Sequence, residues 1–427
     1  MRFALVSMVA LTAAVSAAPK PEPVTYHRHI APIIQSRCQG CHRAGEIGPM
    51  PFESYSQVRP WAKAIKEAVA SRKMPPWFAD ASVGRFHNDP SLDAAQIAAI
   101  SQWADAGAPE GSQKDAAPPP QFADGWTIGK PDAIFEMPVA YDVPATGTIE
   151  YTDIIIPTGF TEDKWVEKIE IRPGNRAVVH HISLYVREPG VNWLRSYPAG
   201  VPFVQTGKGS DGRETRPWET RMSGYAPGAP PELLGPDRGR LFKAGSDIIL
   251  EIHYTTNGKP ARDRSKVGLV FYQTPPPKRV VTLSAKNLEL AIPPGDPAYS
   301  IDGSLTLHAD SELSLLYPHM HVRGKAMEMR AVYPTGEREV LLRVPRYDFN
   351  WQLRYEPLQR KLLPKGTRIE ATGVFDNSPN NRWNPDPRQT VRWGDQSWEE
   401  MMVGFVEVAF DSKLDIQQLV GEVKPRN

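Results

Sequence analysis

The sequence predicts a mainly β protein in which a small all-α domain precedes two antiparallel β-sandwich domains. At roughly 100–200 residues per domain, the 427 residues are enough for several domains. Proline accounts for 43 of the 427 residues, about twice its usual ~5% share, and because proline interrupts helices a mostly helical protein is excluded. Near residue 120 the pattern also changes, from helical apolar stripes to many short β-rich runs.

Composition and charge exclude several classes of function. Lysine and arginine exceed aspartate and glutamate by only 50 − 49 = 1, so the chain has no electrostatic footprint for nucleic acid or for an anionic membrane surface. An apolar share of 41% can build cores, which excludes wholesale disorder. With only two cysteines, a scaffold held by several disulfides is excluded as well.

Residues 1–18 have the pattern of a secretory signal peptide. Arg2 provides the positive start, the segment from Phe3 to Val15 is almost wholly apolar, and small residues suited to cleavage follow. The alternative is a membrane anchor, which is disfavoured because the apolar run is too short to span a bilayer comfortably. No later stretch reaches 18 uninterrupted apolar residues. We therefore expect a periplasmic or secreted protein with no membrane span once the signal peptide is removed.

Both cysteines belong to one motif. Cys38, Cys41 and His42 form the pattern C-x-x-C-H, the attachment site of a covalently bound c-type haem. In such a site each thiol forms a thioether to the edge of the haem, and the adjacent histidine becomes the proximal iron ligand. A redox-active dithiol is the alternative, but it would not require His42. The motif therefore predicts one c-type haem.

Helical periodicity surrounds this motif. Apolar residues recur on one face before it and again from Val58 to Val69, which predicts two helices. A third helix is predicted to begin at a Ser91 cap and to end at Gly107. Three short helices around a haem make a small cytochrome c-like domain, which we place at 22–108.

The sixth iron ligand should be a soft donor on a loop. Met74 directly follows the second predicted helix, and the prolines after it make the loop rigid. Met50 is a poorer candidate because it lies only eight residues after His42, a short reach around the ring. A packing role for Met74 is the alternative.

A linker rich in glycine, alanine and proline at 109–120 separates the helical part from β-rich sequence. Many short runs with turn signals between them predict two antiparallel sandwiches, at 121–290 and 291–427, with the joint at Pro293 to Gly295. The segment 189–241 is predicted to be an elaborate loop. The β-rich runs are 149–156, 165–171, 177–186, 247–254, 267–272, 280–292, 304–308, 313–322, 326–333, 340–344, 350–355, 368–375 and 402–410.

Five histidines beyond the linker form two clusters. His180, His181 and His253 lie in the first predicted sandwich, and His319 and His321 lie in one run of the second. Residues i and i+2 of a strand point to the same face, so His319 and His321 can meet one metal. The adjacent His180 and His181 need a bulge, a strand end or different ring nitrogens to do so. Each cluster alone is weak evidence for a metal site, because a buried histidine more often hydrogen-bonds a backbone carbonyl than binds a metal.

The donor types in these clusters favour copper. Three imidazoles suit copper or zinc, whereas the pair in the second sandwich needs a further donor. The run from Trp398 to Met402 offers a thioether, which favours Cu(I). Zinc is less suited to the second cluster because the chain has no spare thiolate and no group of carboxylates there.

The order of these motifs resembles the copper type II, ascorbate-dependent monooxygenases, the family of peptidylglycine α-hydroxylating monooxygenase and dopamine β-monooxygenase. The family fold is two jelly-roll-like β-sandwiches, each with one copper, facing each other across a solvent-filled cleft. With the haem domain in front, whose Met-Pro-Pro-Trp loop also matches, the chain resembles a bacterial cytochrome–copper monooxygenase. The resemblance covers roughly 122–414 and is carried by His180-His181, His253-Tyr254, His319-x-His321 and Glu400-Met401.

The resemblance implies two copper ions in addition to the haem. The electron-supplying copper would be held by His180, His181 and His253. The copper that binds O2 would be held by His319, His321 and Met401, with Met401 chosen over Met402 by the Glu-Met match. The implied reaction is hydroxylation of a C–H bond of a small-molecule or peptide-like substrate by O2. Electrons would reach the coppers from an external donor by way of the fused haem, from an ascorbate-like reductant, or by both routes.

Two departures from the family pattern matter. Tyr317 stands where the peptidylglycine enzyme has the arginine that grips the substrate carboxylate, so a peptidylglycine substrate is disfavoured. The chain also has no cysteine left for the disulfides of the animal enzymes. The alternative function is a periplasmic haem and copper protein that transfers electrons or binds copper without oxygenase activity. A carbohydrate-binding module is a weaker reading, because no aromatic platform can be identified from sequence.

Overall fold

A computed structural model describes residues 22–122, 125–205, 221–228 and 230–421. The predicted signal peptide at 1–18 lies outside these residues. Strands in large sheets are the predominant secondary structure of the described chain, which confirms the mainly β prediction. In this part of the chain no helix combines the length and apolar character needed to cross a membrane.

Short helices occupy the N-terminal part of the described chain and pack around one apolar cluster that includes Ile30, Ile34, Ile100 and Trp103. We call residues 26–105 the helical segment. Another short helix, α5, lies near the C-terminus. The elements are a π-helical turn Tyr26–Ile30, α1 (Ala31–Arg37), α2 (Tyr55–Val58), a 3-10 turn Arg59–Trp61, α3 (Ala62–Ala70), α4 (Ala94–Asp105), a 3-10 turn Gln113–Asp115 and α5 (Ile416–Val420).

Helix α4 differs from the prediction at its start. The cap is Asp93, whose carboxylate accepts the Gln96 backbone N–H at 2.8 Å, while the Gln96 side chain accepts the Asp93 backbone N–H. This reciprocal pair is a capping box, so the prediction of Ser91 as the cap was wrong. Gly107, with φ of 82°, follows the end of the helix as predicted, because a left-handed residue there suits glycine.

The first β half is a sandwich of two sheets. One sheet has the order β1-β11-β4-β8, with β7 also paired to β4, and the other has the order β3-β9-β5-β6. Their facing residues, such as Val166, Leu184 and Leu250, form one buried core. The strands are β1 (Ala133–Glu136), β2 (Tyr141–Val143), β3 (Thr152–Pro157), β4 (Lys164–Arg172), β5 (Val179–Arg187), β6 (Arg221–Tyr225), β7 (Glu232–Leu233), β8 (Arg238–Phe242), β9 (Asp247–Tyr254), β10 (Ala261–Asp263) and β11 (Lys266–Phe271).

The second β half encloses its own core between two groups of strands, β14-β19-β16-β17 and β12-β21-β15-β18. A single residue pair, Lys286 with Ser304, joins the two groups. The strands are β12 (Lys278–Lys286), β13 (Ala291–Ile292), β14 (Tyr299–Thr306), β15 (Ser311–His319), β16 (Gly324–Val332), β17 (Arg338–Val344), β18 (Lys361–Leu363), β19 (Arg368–Phe375), β20 (Val391–Arg392) and β21 (Val403–Asp411).

The strands agree with most predicted β-rich runs, and two of them, β9 and β19, agree at both ends. The predicted run 350–355 is an exception, since it is irregular chain with one isolated bridge between Tyr355 and Leu316 rather than a strand. The segment 189–241, expected to be a loop, contributes β6, β7 and part of β8. Residues of β12 pack in the second core, so this core begins before the predicted joint at Pro293.

One buried ion pair network connects the two β halves. The Arg240 guanidinium on β8 is fully buried and lies 2.7 Å from Glu232 of β7 and 2.8 Å from Glu407 of β21. Burial alone would raise the pKa of Glu407, but Arg240 and further arginines outweigh it and hold that pKa below its ordinary value. Next to this network, β8 and β12 pair in parallel over two residues.

The helical segment contacts both β halves. Glu46 pairs with Arg176 of the first half at 3.2 Å, and Asp80 pairs with Arg343 of the second at 3.4 Å. The ring of Trp77 lies 4.7 Å, centroid to centroid, from the buried Tyr355. These contacts hold the helical segment across the two halves.

Arg240→Met should lower the free energy of unfolding of the protein by about 3–5 kcal/mol, because it leaves two carboxylates buried without their partner. Chemical denaturation followed by circular dichroism measures the change. The control is Arg262→Met, since Arg262 pairs with Asp142 at a site where both side chains are exposed and such pairs contribute little. Equal stability of the two variants would show that the Arg240 network does not hold the halves together.

Candidate metal centres

A β-bulge brings the two adjacent histidines of the first cluster together. In the pairing of β5 with β9, Val179 is opposite Tyr254 and His181 is opposite His253, so the register shifts between them and His180 is the extra residue. An extra residue bends a strand and redirects its side chain. The bulge is one of the three solutions that the sequence left open for a shared metal.

Three imidazoles of this cluster meet at one point. One ring nitrogen from each of His180, His181 and His253 lies within 4.8 Å of the other two. His180 Nε2 lies 3.1 Å from the Asn350 carbonyl oxygen; because a carbonyl can only accept, Nε2 carries the proton and Nδ1 has the lone pair. That Nδ1 lies 3.0 Å from His181 Nδ1. His253 Nδ1 is buried and has no hydrogen-bond partner among the described residues.

The surroundings keep these imidazoles neutral. Burial lowers the pKa of His181 well below its ordinary value, and the neighbouring His253 and His180 lower it further. Burial, followed by His180, lowers the pKa of His253 to about 3. A histidine binds a metal through the lone pair of its neutral form. An orphaned buried nitrogen and converging lone pairs therefore fit a metal ion bound by three imidazoles.

The second cluster lies at the end of β15. His319 is the last residue of that strand, and its ring centroid lies 5.2 Å from that of His321. His319 Nδ1 is 3.0 Å from Gln352 Oε1, and His321 Nδ1 is 3.3 Å from the Glu399 carbonyl oxygen. In each ring an acceptor therefore holds the proton on Nδ1, which leaves the lone pair on Nε2. Burial, followed by His319, lowers the pKa of His321 to about 3.

The two candidate methionines lie in different places. Met401 lines the same cleft as His319 and His321 and packs in a small cluster with Tyr317. Met402 is fully buried in the core of the second half. Both residues immediately precede β21, and of the two only Met401 is within the cleft.

Glu400 supports the backbone of the His-x-His motif. Its carboxyl accepts the backbone N–H of His321 at 2.8 Å and that of Arg323 at 2.6 Å. Complete burial raises the pKa of Glu400 to about 8, even though those N–H groups lower it. The residue therefore ties the segment around Met401 to the histidine motif.

Residues of both clusters line one cleft between the two β halves. His181 lines it from the first half, and His319, His321 and Met401 line it from the second. The space between the walls is about 590 Å³, open solvent included. The clusters are close enough that a positive charge on His319 contributes to lowering the pKa of His181.

Arg221 on β6 is a cleft residue that the sequence did not single out. It is buried, lines the cleft, and places its guanidinium 5.0 Å from the centroid of the Tyr317 ring. Its Nη1 has no hydrogen-bond partner within the described part of the chain. Arg221 of the first β half therefore places a positive charge beside Tyr317 of the second β half. Gln352 and Asn350 were also missed, because no local pattern marks a residue that acts on a histidine distant in sequence.

The C-x-x-C-H motif has donors suited to a c-type haem. Cys38 and Cys41 are both unpaired. His42 Nδ1 lies 3.1 Å from the Met50 carbonyl oxygen, so the proton is held on Nδ1 and Nε2 retains its lone pair. Phe52 stacks on the His42 ring at 4.5 Å between centroids. Burial, followed by the charge of Cys41, raises the pKa of the Cys38 thiol to about 12.

Met74 lies on the wall of a second and larger cavity. Val69, Leu92 and Ile97 of the helical segment line it as well, and its space is about 1420 Å³ with open solvent included. Cys38, Cys41 and His42 are not among the described residues that line this cavity. The structure therefore does not bring Met74 and the C-x-x-C-H motif to one cavity wall.

Comparisons with known proteins identify no relative. No known family model matches the sequence, and no curated protein matches it significantly. Among solved structures, the chain is similar to that of infectious bursal disease virus Gx strain, with 10% identity over 65% of this chain and 70% of that one and a TM-score of 0.19. The VP2 subviral particle of the same virus gives 11% identity, 68% and 75% coverage and a TM-score of 0.19. TM-scores this low carry no argument about fold or function.

Proposed function

We propose that the protein is an exported copper-dependent monooxygenase that hydroxylates a C–H bond of a small organic or peptide-like substrate with O2. The observation that supports this most is the shared cleft: His181 of the three-histidine cluster lines it from one β half, and His319, His321 and Met401 line it from the other. In this proposal the halves are jelly-roll-like copper domains, and residues 22–108 form a c-type cytochrome domain. The N-terminal 1–18 would direct the chain to the periplasm or outside the cell.

The donor sets support copper at both centres. His180, His181 and His253 offer three neutral imidazoles, which suit copper or zinc. At the other centre the thioether of Met401 adds a soft donor, which favours Cu(I). Copper bound there would supply one-electron chemistry and activation of O2. The reaction as a whole takes two electrons and two protons, converts C–H and O2 into C–OH and water, and requires an electron donor.

The second centre suits a reaction more than storage of copper. His319, His321 and Met401 provide three donors, and the cleft lies beside them. Three protein ligands leave a coordination position for a reactant, whereas a purely structural site is closed by four. The roles of this chain's own residues are to hold the imidazole tautomers, through Gln352 and the Glu399 carbonyl oxygen, and to shape the cleft.

The position of the haem-attachment motif supports electron entry at the first centre. A Cβ added to Gly228 would lie 2.7 Å from Cys41 Sγ, so the turn after β6 packs directly against that sulfur. Tyr225, at the end of β6, pairs with Ile182, the residue after His181. The motif therefore contacts the turn that follows β6, the strand paired with β5 of the first cluster. This contact supports a donor role for the haem, with an external donor or an ascorbate-like reductant supplying the electrons.

Met74→Ala should abolish the charge-transfer band between methionine sulfur and haem iron and lower the haem reduction potential, because a thioether ligand raises that potential. Absorption spectra and a redox titration of the exported protein measure both. Met50→Ala is the matched control, since Met50 contributes a carbonyl oxygen rather than sulfur to the haem side. An unchanged band in Met74→Ala would assign the sixth ligand to another residue.

His321→Ala should reduce the copper content from two ions to one per protein and leave the haem spectrum intact, because the two centres have separate ligands. Metal analysis after copper loading under reducing conditions measures the content. The control is His308→Ala, because the His308 imidazole lies against Gly421 and outside both clusters. Loss of both ions would indicate one shared site in place of two.

Met401→Ala should slow substrate oxidation by at least about tenfold, since even residues that only orient a metal ligand change affinity or activity by that much. His253→Ala should leave O2 binding at the second centre intact but slow the delivery of the second electron from the first centre, so its turnover should fall for want of reduction. Single-turnover kinetics with a panel of C–H substrates, with and without a carboxylate that Arg221 could bind, distinguishes the two variants. Met402→Leu, in the core, is the control.

Two results would contradict the proposal. Equal rates of substrate oxidation in the parent and in Met401→Ala would show that Met401 is not a copper ligand. If the parent oxidises no substrate of the panel while its haem and copper exchange electrons quickly, the protein is an electron-transfer protein and not an oxygenase.

A further inference from the structure

We infer that four residues of the second β half, Phe349 to Gln352, couple metal binding at the two histidine clusters, an inference that rests on the proposed copper sites. We call these residues the wedge. The wedge lies between β17 and β18 and reaches both clusters. The Asn350 carbonyl oxygen is 3.1 Å from His180 Nε2, and Gln352 Oε1 is 3.0 Å from His319 Nδ1. One short segment therefore holds an imidazole of each centre.

The ring of Phe349 also faces both clusters. Its centroid lies 6.4 Å from that of His253 in the first cluster and 6.1 Å from that of His321 in the second. With the two hydrogen bonds, the wedge contacts two histidines of each cluster. A displacement of the wedge would therefore move histidine side chains in both clusters.

Hydrogen bonds within and beside the wedge make it move as one piece. The Asp348 carboxylate accepts the Asn350 backbone N–H at 3.0 Å and the Asn350 side-chain amide at 2.8 Å. The Gln352 amide nitrogen donates to the Phe349 carbonyl oxygen at 3.0 Å. The acceptor for His180 and the acceptor for His319 thus belong to one hydrogen-bonded turn.

The orientation of the Gln352 amide follows from its neighbours. Its oxygen lies 3.0 Å from the Tyr317 hydroxyl and 3.4 Å from the Tyr347 hydroxyl, in addition to His319. Its nitrogen faces a carbonyl oxygen, which can only accept. A flipped amide would place two oxygens against each other, so Oε1 is the acceptor for His319 and Gln352 is a positioning residue for that histidine.

Coupling follows from the chemistry of imidazole. A metal at the second centre needs the Nε2 lone pair of His319, so the proton stays on Nδ1 and fixes Gln352. Fixing Gln352 places the Asn350 carbonyl oxygen against His180 Nε2, which leaves Nδ1 of His180 for the first metal. Coupling between two sites is reciprocal and commonly amounts to ~5–150-fold in affinity. We expect copper at one centre to tighten copper binding at the other by about tenfold.

The test is Cu(I) titration of the full exported protein against a competing chelator. First-centre affinity is measured in the parent and in His321→Ala, whose second centre is disabled, and then for the same pair in a Gln352→Leu background. The expected result is about tenfold weaker first-centre binding in His321→Ala than in the parent. In the Gln352→Leu background that difference should disappear.

Two further variants separate orientation of His319 from a general effect on folding. Gln352→Glu keeps an acceptor oxygen and should preserve the coupling, whereas Gln352→Leu should lose it while the haem spectrum stays unchanged. Gln205→Leu is the matched control, because Gln205 lines the same cleft and bonds Asp153 rather than a histidine. This control should retain the coupling.

The possible outcomes are distinct. Equal first-centre affinity in the parent and in His321→Ala would overturn the coupling and leave the proposed function standing. Coupling that persists in Gln352→Leu would overturn the role of the wedge. Failure of the parent to bind copper at either cluster would overturn the proposed function and this inference together.

Discussion

The cleft depends on how the two β halves are held against each other, and the buried Arg240 network is central to that. Its guanidinium lies between Glu232 of the first half and Glu407 of the second, without exposure to solvent. Removing such charges from water is costly unless they are paired, so the halves are stabilised in the arrangement that pairs them. Because the candidate metal clusters lie on opposite walls, this junction also determines how far apart they are.

Within each wall, strand geometry determines which donors converge. At the second cluster the donors lie where strands end: His319 is the last residue of β15, and Met401 precedes β21, with Met401 in the cleft and Met402 in the core. Regular alternation directs neighbouring side chains of a strand to opposite faces. His180 avoids it through the bulge in β5, which adds the third imidazole to the first cluster.

Protonation at both clusters is controlled by acceptors that lie far away in sequence. The Asn350 and Glu399 carbonyl oxygens and the Gln352 amide oxygen each hold a proton on one ring nitrogen. The opposite nitrogen then has its lone pair available. Burial keeps the imidazoles neutral, since an uncompensated charge in a dry site is expensive. The environment thus prepares ligands in the form that a metal requires.

The sequence alone determined the mainly β class, most strand positions and the two histidine clusters, because periodicity and residue spacing are local properties. It missed the Asp93 cap, and it predicted a strand at 350–355 where the chain is irregular, since apolar and aromatic residues there are used for contacts with other segments. The sequence also did not reveal that the second core begins as early as β12. A β-like composition does not reveal which sheet a strand joins.

Only the tertiary structure decided how these local features combine. It selected a bulge from the three ways of bringing His180 and His181 together, and it placed Met401 rather than Met402 in the cleft. It brought Arg221 beside Tyr317 from another strand, and it inserted the wedge between the clusters. Each of these is a contact between residues distant along the chain, so its energy depends on packing and burial that local sequence patterns do not encode.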